Sequence, residues 1–281
     1  MRLKETPVEG TESRNPRRLP DNPEDFKATL AEHIDELRQR IVRSLLFLTV
    51  GWVVGWFLQP WLYTELQQLV QTNVAPILER SGGKFDEVFT NATQPFMLKL
   101  KMSFLIGLVM AFPMIVVQVW GFIKPGLKPQ ERKPVERAAP ISVFLFALGC
   151  FFCWLVLPAT LKFFASFFLE FQGTSLFQEP GTMVLFILRM MLAFGIGFQL
   201  PLAVYALGAM NLLSAYTLIK NWRQAAVVIF MLSAVLTPSA DAVSMMMMAL
   251  PMIILFMISV YAVKVTQRRR KILTNVDEPV E

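Results

Sequence analysis

The sequence contains very few of the residues that bind metals or carry nucleophilic chemistry. Its 281 residues include a single histidine, His33, and two cysteines. No Cys and His cluster has the spacing of a zinc site, and no glycine-rich phosphate-binding loop is present. The apolar segments also lack the Asp pair, the Ser with His, or the H-E-x-x-H that an intramembrane protease requires. We therefore expect neither an enzyme nor a cofactor.

The two cysteines are too few for a disulfide framework. Cys150 and Cys153 form a C-x-x-C within the apolar stretch "GCFFCW". A redox pair would need an accessible thiol of lowered pKa, whereas a mid-helix position favours small packing residues. We interpret both cysteines as core residues.

Charged residues are also scarce, at 17% of the chain against 54% hydrophobic residues. A soluble domain of ordinary composition has about 25% charged residues. Each uncharged run is long enough, or nearly so, to cross a hydrocarbon layer of about 30 Å at about 1.5 Å per residue. The uncharged runs cover residues 44–64, 102–123, 138–161, 190–219, 224–240 and 242–263.

These runs predict an all-α, polytopic membrane protein with six transmembrane helices. The fifth run is short, and the sixth helix is expected to be held at the same shallow depth by the short "TPSAD" turn before it. Residues 1–28 are expected to be a disordered tail and residues 265–281 a basic tail, on either side of a transmembrane domain at 29–264. The expected helices cover about 41–62, 97–121, 139–161, 181–208, 222–237 and 242–264.

Lysine and arginine are distributed unequally between alternate loops. One side carries 21 of them and the other side five. Because basic residues are retained on the cytoplasmic side, both termini are predicted to be cytoplasmic. The formal net charge of +6 is therefore first a topology signal.

The stretch "LAEHIDELRQR", residues 30–40, is expected to form a helix at the membrane surface. Thr29 and Glu32 form a T-x-x-E capping box that would start this helix. An apolar stripe and a polar face both follow helical spacing. One interpretation is that Glu36 only pairs with Arg40 four residues later, which contributes a few tenths of a kcal/mol. The stripe consists of Leu30, Ile34, Leu37 and Ile41, and the polar face of His33, Glu36, Arg40 and Arg43.

A second acidic residue in basic surroundings lies in the segment 118–140. Glu131 is flanked there by Lys128, Arg132 and Lys133, in a loop that its prolines are expected to stiffen. Glu131 either neutralises the basic loop or, like Glu36, accepts bidentate bonds from guanidinium groups of a visiting chain.

Four stretches of the chain resemble the motifs of one family, the C subunit of the twin-arginine protein translocase (TatC). They occur in order between about residues 30 and 263, with matching helix spacing. "EHIDELRQR" is similar to the family's H-L-x-E-L-R-x-R, and "QVWGFIKPGLKPQERK" to its Q-x-W-x-F-x-x-P-G-L-x-x-x-E-R-K. "FGIGFQLP" resembles F-G-x-x-F-[EQ]-x-P, and "LTPSADAVSMMMMALPMIILF" resembles the family's last motif.

The resemblance implies a receptor for the twin-arginine signal peptides of folded precursors. It also implies a concave helix bundle in the plasma membrane that works with single-span TatA/TatB-type subunits and other copies of itself. Export would use the proton-motive force, and nucleic acid has no part in it. Carried over by position, the signal-peptide-binding residues are Glu36, Glu131, Arg38 and Phe122, and Pro76 matches a proline of the family. The other expected structural residues are Pro113, Pro125 and Asp241, and either Ser239 or Asp241 can cap the sixth helix.

Two positions depart from the family's pattern. Met257 stands where the last motif usually ends in Glu, and Gln199 stands where some members have Glu. Gln199 cannot carry a proton, which argues against an obligatory proton relay there. It either bonds to a neighbouring helix or marks a polar spot where partner helices dock. Arg189 is expected to snorkel to the extracytoplasmic face.

Two other classes of protein remain open from the sequence. A secondary transporter would carry charged or broken helices at mid-membrane and often repeat symmetry, whereas here the ionisable residues gather at the cytoplasmic rim. A scaffold would explain the helices but gives no reason for two acidic residues at that rim. Solute uptake by the reconstituted protein would favour the transporter, and failure to bind any signal peptide would favour the scaffold.

Overall fold

The computed structural model describes the backbone of residues 23–127, 129–171, 173, 175–237 and 241–276. Side chains are described within residues 33–268, apart from most of the segment 126–137 and the few positions missing from the backbone ranges. Residues 1–39 and 40–281 form two separate compact units. The membrane-spanning part belongs to the second unit.

Eight α-helices and one short parallel sheet make up the described structure. The helices are α1 (Pro23–Arg80), α2 (Gln94–Ile123), α3 (Pro129–Ser166), α4 (Thr182–Gly197), α5 (Gln199–Ala209), α6 (Ala215–Lys220), α7 (Trp222–Leu236) and α8 (Ala242–Val276). The strands β1 (Phe85–Glu87) and β2 (Leu176–Gln178) pair in parallel, with Phe85 opposite Leu176. Two 3-10 turns lie at Lys124–Gly126 and Phe167–Glu170.

The described helices confirm the predicted polytopic membrane protein. Five described segments are long and apolar enough to cross a membrane: α1, α2, α3, α4 together with α5, and α8. A shorter apolar helix of 15 residues, α7, corresponds to the expected fifth transmembrane helix. The expectation of a short fifth transmembrane helix is therefore confirmed.

Several helices are longer than their uncharged runs. Helix α1 has 58 residues. It includes the expected surface helix, the first span and part of the stretch between the first two expected transmembrane helices. It starts at Pro23, so Thr29 lies inside the helix and the capping box predicted there is wrong. Proline is favoured in the first turn because its missing N–H would have no partner there. Helix α1 also includes residues 23–28, which were expected to belong to the disordered tail.

The expected start of α3 and the expected end of α8 were also wrong, because both helices continue through charged residues. Helix α3 starts at Pro129, ten residues before the expected position, and includes most of the loop that carries Glu131. Helix α8 has 35 residues and continues to Val276, so the sixth helix is not short and 265–276 is not a tail. Lys, Arg, Gln and Glu are good helix formers, so a charge marks the edge of the hydrocarbon layer and not the end of a helix.

The fourth span is broken between α4 and α5, where a single helix at 181–208 was expected. Pro201 has no N–H to donate to the carbonyl of Gly197, and its ring would clash with that carbonyl in a regular helix. The helix accordingly stops at Gly197 and restarts at Gln199. This break places Gln199 at the first position of α5.

Helices α1 and α2 cross at very short range. A Cβ added to Gly51 would lie 2.6 Å from the carbonyl oxygen of Gly107, and one added to Gly55 would meet the carbonyl oxygen of Ser103. The G-x-x-x-G spacing of Gly51 and Gly55 therefore lets the two backbones touch, as small residues do in membrane helix packing.

The buried core lies where α3, α4 and α8 pack together, with α5 against α8 and α7 closing one side. Phe194 and Phe198 are fully buried at the α4–α5 break, and their ring centroids are 6.5 Å apart. Met248 and Met252 of α8 are also fully buried. Flexible thioethers fill the irregular space that a broken helix leaves.

Candidate functional site

Of the candidate residues of the second unit, Phe122 and Glu131 lie at the end of the bundle where α2 meets α3. We call this the basic end, because exposed basic residues lie where α2 meets α3 and α6 meets α7, and on the C-terminal part of α8: Lys124, Arg132, Lys220, Arg223, Lys264 and Arg268. The opposite end carries the β1–β2 sheet, and we call it the cap end.

The α2–α3 connection is a compact turn. Helix α2 ends at Ile123 and passes directly into the 3-10 turn that contains Pro125. The Lys124 Nζ and Glu136 Oε1 atoms form an ion pair of 2.7 Å, and Arg132 Nε donates to the Leu127 carbonyl at 3.2 Å. Both residues of the ion pair are about half exposed, so its contribution to stability is about 0–1 kcal/mol.

Phe122 is half-buried in the last turn of α2. Its neighbour Gly121 is in contact with a basic side chain of α1: a Cβ added to Gly121 would meet Arg40 Nη1, and would lie 2.8 Å from Arg40 Cζ. The Arg40 guanidinium therefore rests against the bare backbone of α2. From the sequence, Arg40 was expected only to pair with Glu36. The contact with Gly121 could not be predicted, because no local pattern links residues 40 and 121.

Glu131 is the third residue of α3 and thus lies in its first turn. A carboxylate is favoured there by the partial positive charge of a helix N-terminus. The side chain of Glu131 lies outside the described residues. In the first unit, Glu36 is half-buried and Arg38 is exposed on α1.

Gln199 makes the interhelical hydrogen bond that the sequence analysis weighed. Its Nε2 donates to the Ser142 carbonyl of α3 at 2.9 Å. Its Oε1 is buried and accepts no hydrogen bond from the described residues. Gln199 therefore joins α3 to α5 and still offers one acceptor.

The remaining named positions lie as follows. Pro76 is inside α1 and Pro113 inside α2. Asp241 caps α8, since its Oδ2 accepts from the Ser244 N–H at 2.7 Å. The alternative cap, Ser239, lies outside the described residues. Met257 and Arg189 are exposed on α8 and α4, respectively.

Both cysteines are packed inside the bundle. Cys153 is fully buried in the hydrophobic core, Cys150 is partly buried, and neither forms a disulfide. Their environment agrees with the interpretation as core residues. Within the described ranges, no group of three metal-binding side chains is close enough to hold an ion.

Gln267 of α8 is a structural residue that the sequence analysis did not find. Its Nε2 donates to the carbonyls of Gly208 and Leu213, both at 2.9 Å, and its Oε1 accepts from the Ala215 N–H at 3.1 Å. One amide thus satisfies the end of α5 and the start of α6. In the sequence it is only an uncharged residue beside a basic run.

A second missed group lies at the cap end. The carboxylate of Glu87 on β1 accepts from Gln67 Nε2 of α1 and from the backbone N–H of Gly181 before α4. Burial raises the pKa of Glu87 above its ordinary value, and the two hydrogen bonds oppose that shift. Three separate segments meet at this one side chain.

Comparison with known families and proteins gives a consistent result. Residues 32–251 match the family model described as Sec-independent protein translocase protein (TatC). The chain is 34% identical over 243 residues to the Sec-independent protein translocase protein TatC of Carboxydothermus hydrogenoformans, covering 86% of this chain and 95% of that protein. It is also 34% identical to the TatC protein of Deinococcus radiodurans, covering 86% and 87% of the two chains.

The fold is similar to solved structures as well. A crystal structure of the twin-arginine translocase receptor TatC in DDM superimposes with a TM-score of 0.66 and 25% identity, covering 82% of this chain and 98% of that one. The match to the family model over most of the membrane domain, together with relatives at 34% identity, shows that the chain belongs to the TatC family of Sec-independent protein translocase proteins.

Proposed function

We propose that this translocase subunit receives twin-arginine signal peptides on the cytoplasmic side of the plasma membrane. Glu36 and Glu131 each accept hydrogen bonds from a signal-peptide arginine, and Arg38 and Phe122 contribute to the recognition surface. The proposal rests mainly on the family match over residues 32–251, which includes all four positions.

The α2–α3 turn supports a recognition role. Glu131 stands on the first turn of a 38-residue helix, and the preceding turn is tied by the Lys124–Glu136 and Arg132–Leu127 contacts. A carboxylate on a regular helix can hold the planar fork of a guanidinium better than one on a mobile loop. Phe122 is half-buried just before the turn, in the last turn of α2.

Carboxylate recognition explains a preference for arginine over lysine. A guanidinium donates two parallel hydrogen bonds to one carboxylate, whereas an ammonium is a compact point charge without that planar geometry. Signals with two lysines should therefore bind poorly to the parent protein.

The same proposal includes the partners and the energy source. Single-span TatA/TatB-type subunits and other copies of this chain assemble with it in the membrane, with both termini cytoplasmic. Export uses the proton-motive force without a proton relay through position 199, since an amide does not titrate.

The test of recognition is binding and photocrosslinking of a twin-arginine precursor to the complete chain. Glu36→Ala and Glu131→Ala should each weaken binding by about ten-fold to a hundred-fold, since each removes a charge-assisted hydrogen bond of about 1.5–3 kcal/mol. The matched control is Asp35→Ala, which neighbours Glu36 and is exposed on α1. A crosslinker at position 131 should capture the precursor.

Parental binding and export by both alanine variants would overturn the recognition site. An equal loss in the Asp35→Ala control would show a general electrostatic effect in place of a specific acceptor.

Assembly is tested separately at Gln199. Gln199→Leu should reduce co-purification of the single-span partners more than peptide binding, because it removes the Ser142 hydrogen bond that joins α3 to α5, away from the α2–α3 turn. Gln224→Leu, at an exposed position of α7, is the control. Unchanged partner yield from Gln199→Leu would contradict the assembly role.

A further inference from the structure

An apolar groove lies between α3, α5 and α8 at the basic end. Its cavity volume is about 520 Å³. Ile141 and Leu145 of α3 form one wall, Pro201 and Tyr205 of α5 form the floor, and α8 forms the other wall from Leu255 to Thr266. Among the described side chains, none of the signal-peptide residues discussed above lines it.

The Ser259 and Thr266 hydroxyls of α8 in this groove already donate within their own helix. Ser259 Oγ donates to the Leu255 carbonyl and Thr266 Oγ1 to the Ala262 carbonyl, both at 2.9 Å. With these hydroxyls bonded within the helix, the α8 wall presents mainly carbon atoms. Such a surface suits a hydrocarbon chain better than a polar ligand.

The groove has the length of one membrane leaflet. The eleven residue steps from Leu255 to Thr266 correspond to about 16 Å at about 1.5 Å per residue. Half of a hydrocarbon layer of about 30 Å is about 15 Å. All three helices place the groove in the same leaflet, since Ile141, Tyr205 and Thr266 lie nearer the basic end than Leu145, Pro201 and Leu255.

Positive charge is concentrated where the groove reaches the basic end. Lys264 and Arg268 are exposed on α8, each three residues after a groove residue, Tyr261 and Val265, so they lie beside that edge of the groove toward the basic end. The helix continues through the basic sequence "RRRK" at 268–271. Among the described side chains, no Asp or Glu lines the groove. The charge of this end is complementary to an anionic phosphate headgroup.

We propose that this groove binds an anionic phospholipid of the leaflet at the basic end. One acyl chain lies between α3 and α8 on the floor of α5, and Lys264 and Arg268 bind the phosphate. The site would keep the α3–α5–α8 junction filled in the membrane. It does not depend on the proposed role in signal-peptide recognition.

The experiment reconstitutes the complete chain in nanodiscs that contain a photoactivatable phosphatidylglycerol with a diazirine in its acyl chain. Adducts are mapped by mass spectrometry and compared with those from the matching phosphatidylcholine probe. The anionic probe should label groove residues of α3, α5 or α8 at least three-fold more than the zwitterionic probe. Unlabelled phosphatidylglycerol should compete for this labelling.

Two variants separate the headgroup from the acyl chain. The double variant Lys264→Gln/Arg268→Gln should lower labelling by the anionic probe to the phosphatidylcholine level, while Lys220→Gln/Arg223→Gln, at the same end on α6 and α7, should retain the preference. Ala262→Phe, which fills the middle of the groove, should reduce labelling by both probes. The parental labelling and the two charge variants decide the question even if Ala262→Phe does not fold.

Equal labelling by both probes in the parent would indicate bulk lipid only and overturn the proposal. A preference that survives Lys264→Gln/Arg268→Gln would also overturn it. Groove residues that crosslink to another protein helix, and not to lipid, would assign the groove to a partner subunit.

Discussion

The cap end and the basic end of the bundle are held by different kinds of interaction. At the cap end, main-chain hydrogen bonds join distant segments: Gly173 N–H to the Ser81 carbonyl at 2.8 Å and Leu176 N–H to the Lys84 carbonyl at 2.9 Å. At the basic end, the described α2–α3 turn is held by a half-exposed ion pair and one arginine–carbonyl contact. Backbone pairing fixes a shape, whereas exposed ion pairs rearrange easily. Substitutions at the cap end should therefore destabilise the protein more than substitutions in the α2–α3 turn.

The largest effect is expected from a bulky residue at Gly181 of the cap end. Gly181 has φ +80°, and a Cβ there would lie 2.7 Å from Leu98 Cδ2. Gly181→Val should lower the free energy of unfolding by about 3 kcal/mol, from left-handed backbone strain of about 1–2 kcal/mol and overpacking of about 1–3 kcal/mol. Unfolding by denaturing detergent measures the change.

Gly173 provides the matched control. Its φ is +77°, but a Cβ there would meet nothing within 4 Å. Gly173→Val should therefore show only the backbone part of the loss. Equal losses at the two glycines would mean that the Leu98 contact does not hold the cap end.

The second prediction tests whether all of the basic end is loosely held. Gln267→Leu should lower the free energy of unfolding by about 1–3 kcal/mol, because the Gly208 carbonyl, the Leu213 carbonyl and the Ala215 N–H would lose their side-chain partner. Gln224→Leu should have almost no effect. A neutral Gln267→Leu would show that water replaces the amide and that the α5–α6 connection is as loosely held as the α2–α3 turn.

The third prediction concerns the ion pair itself. Lys124→Gln and Glu136→Gln should each change the free energy of unfolding by less than about 1 kcal/mol, because both side chains are about half exposed. A double-mutant cycle with both substitutions gives the coupling free energy. A coupling above about 2 kcal/mol would remove the contrast between the two ends.

The smallest effect is expected at Glu87, where pH is the variable. Burial is the main cause of its raised pKa, so its ionised form is disfavoured in the folded protein, and Glu87 contributes more stability below the unfolded pKa of about 4.5 than above the folded value. Glu87→Gln should be slightly more stable than the parent at pH 7. As the pH rises from pH 4 to pH 7 and Glu87 ionises, the parent should lose some stability. Glu87→Gln has no group that ionises there, so it should not show this part of the loss.

Thermal unfolding of both proteins across that range measures the difference. A Glu87→Gln variant less stable than the parent at pH 7 would show that the ionised carboxylate, held by Gln67 and Gly181, is the favoured form.

The spans and the short fifth helix could be predicted because hydrophobicity is a property of local composition. The ends of α1, α3 and α8 could not, because an uncharged run reports the thickness of the hydrocarbon layer while the helix itself continues through charged residues. Pro201 was visible in the sequence, but whether it bends or breaks a helix depends on the packing around it.

For the candidate site, the sequence supplied the residue types and the structure supplied their neighbours. Glu131 could be named from its motif, but its position in the first turn of α3 depended on where that helix starts. The contact of Arg40 with Gly121 and the three hydrogen bonds of Gln267 join residues about 50 to 80 positions apart. No local spacing rule reaches across such a separation.

The sequence alone determined that this chain crosses a membrane several times and that it resembles the TatC family, because both follow from composition and from short motifs in order. The tertiary structure decided which polar groups are satisfied: Gln199 by Ser142, the end of α5 by Gln267, and Glu87 by Gln67. The reason is that a polar group in an apolar bundle must find its partner on another helix, and only the packing of the helices determines which partner is within reach.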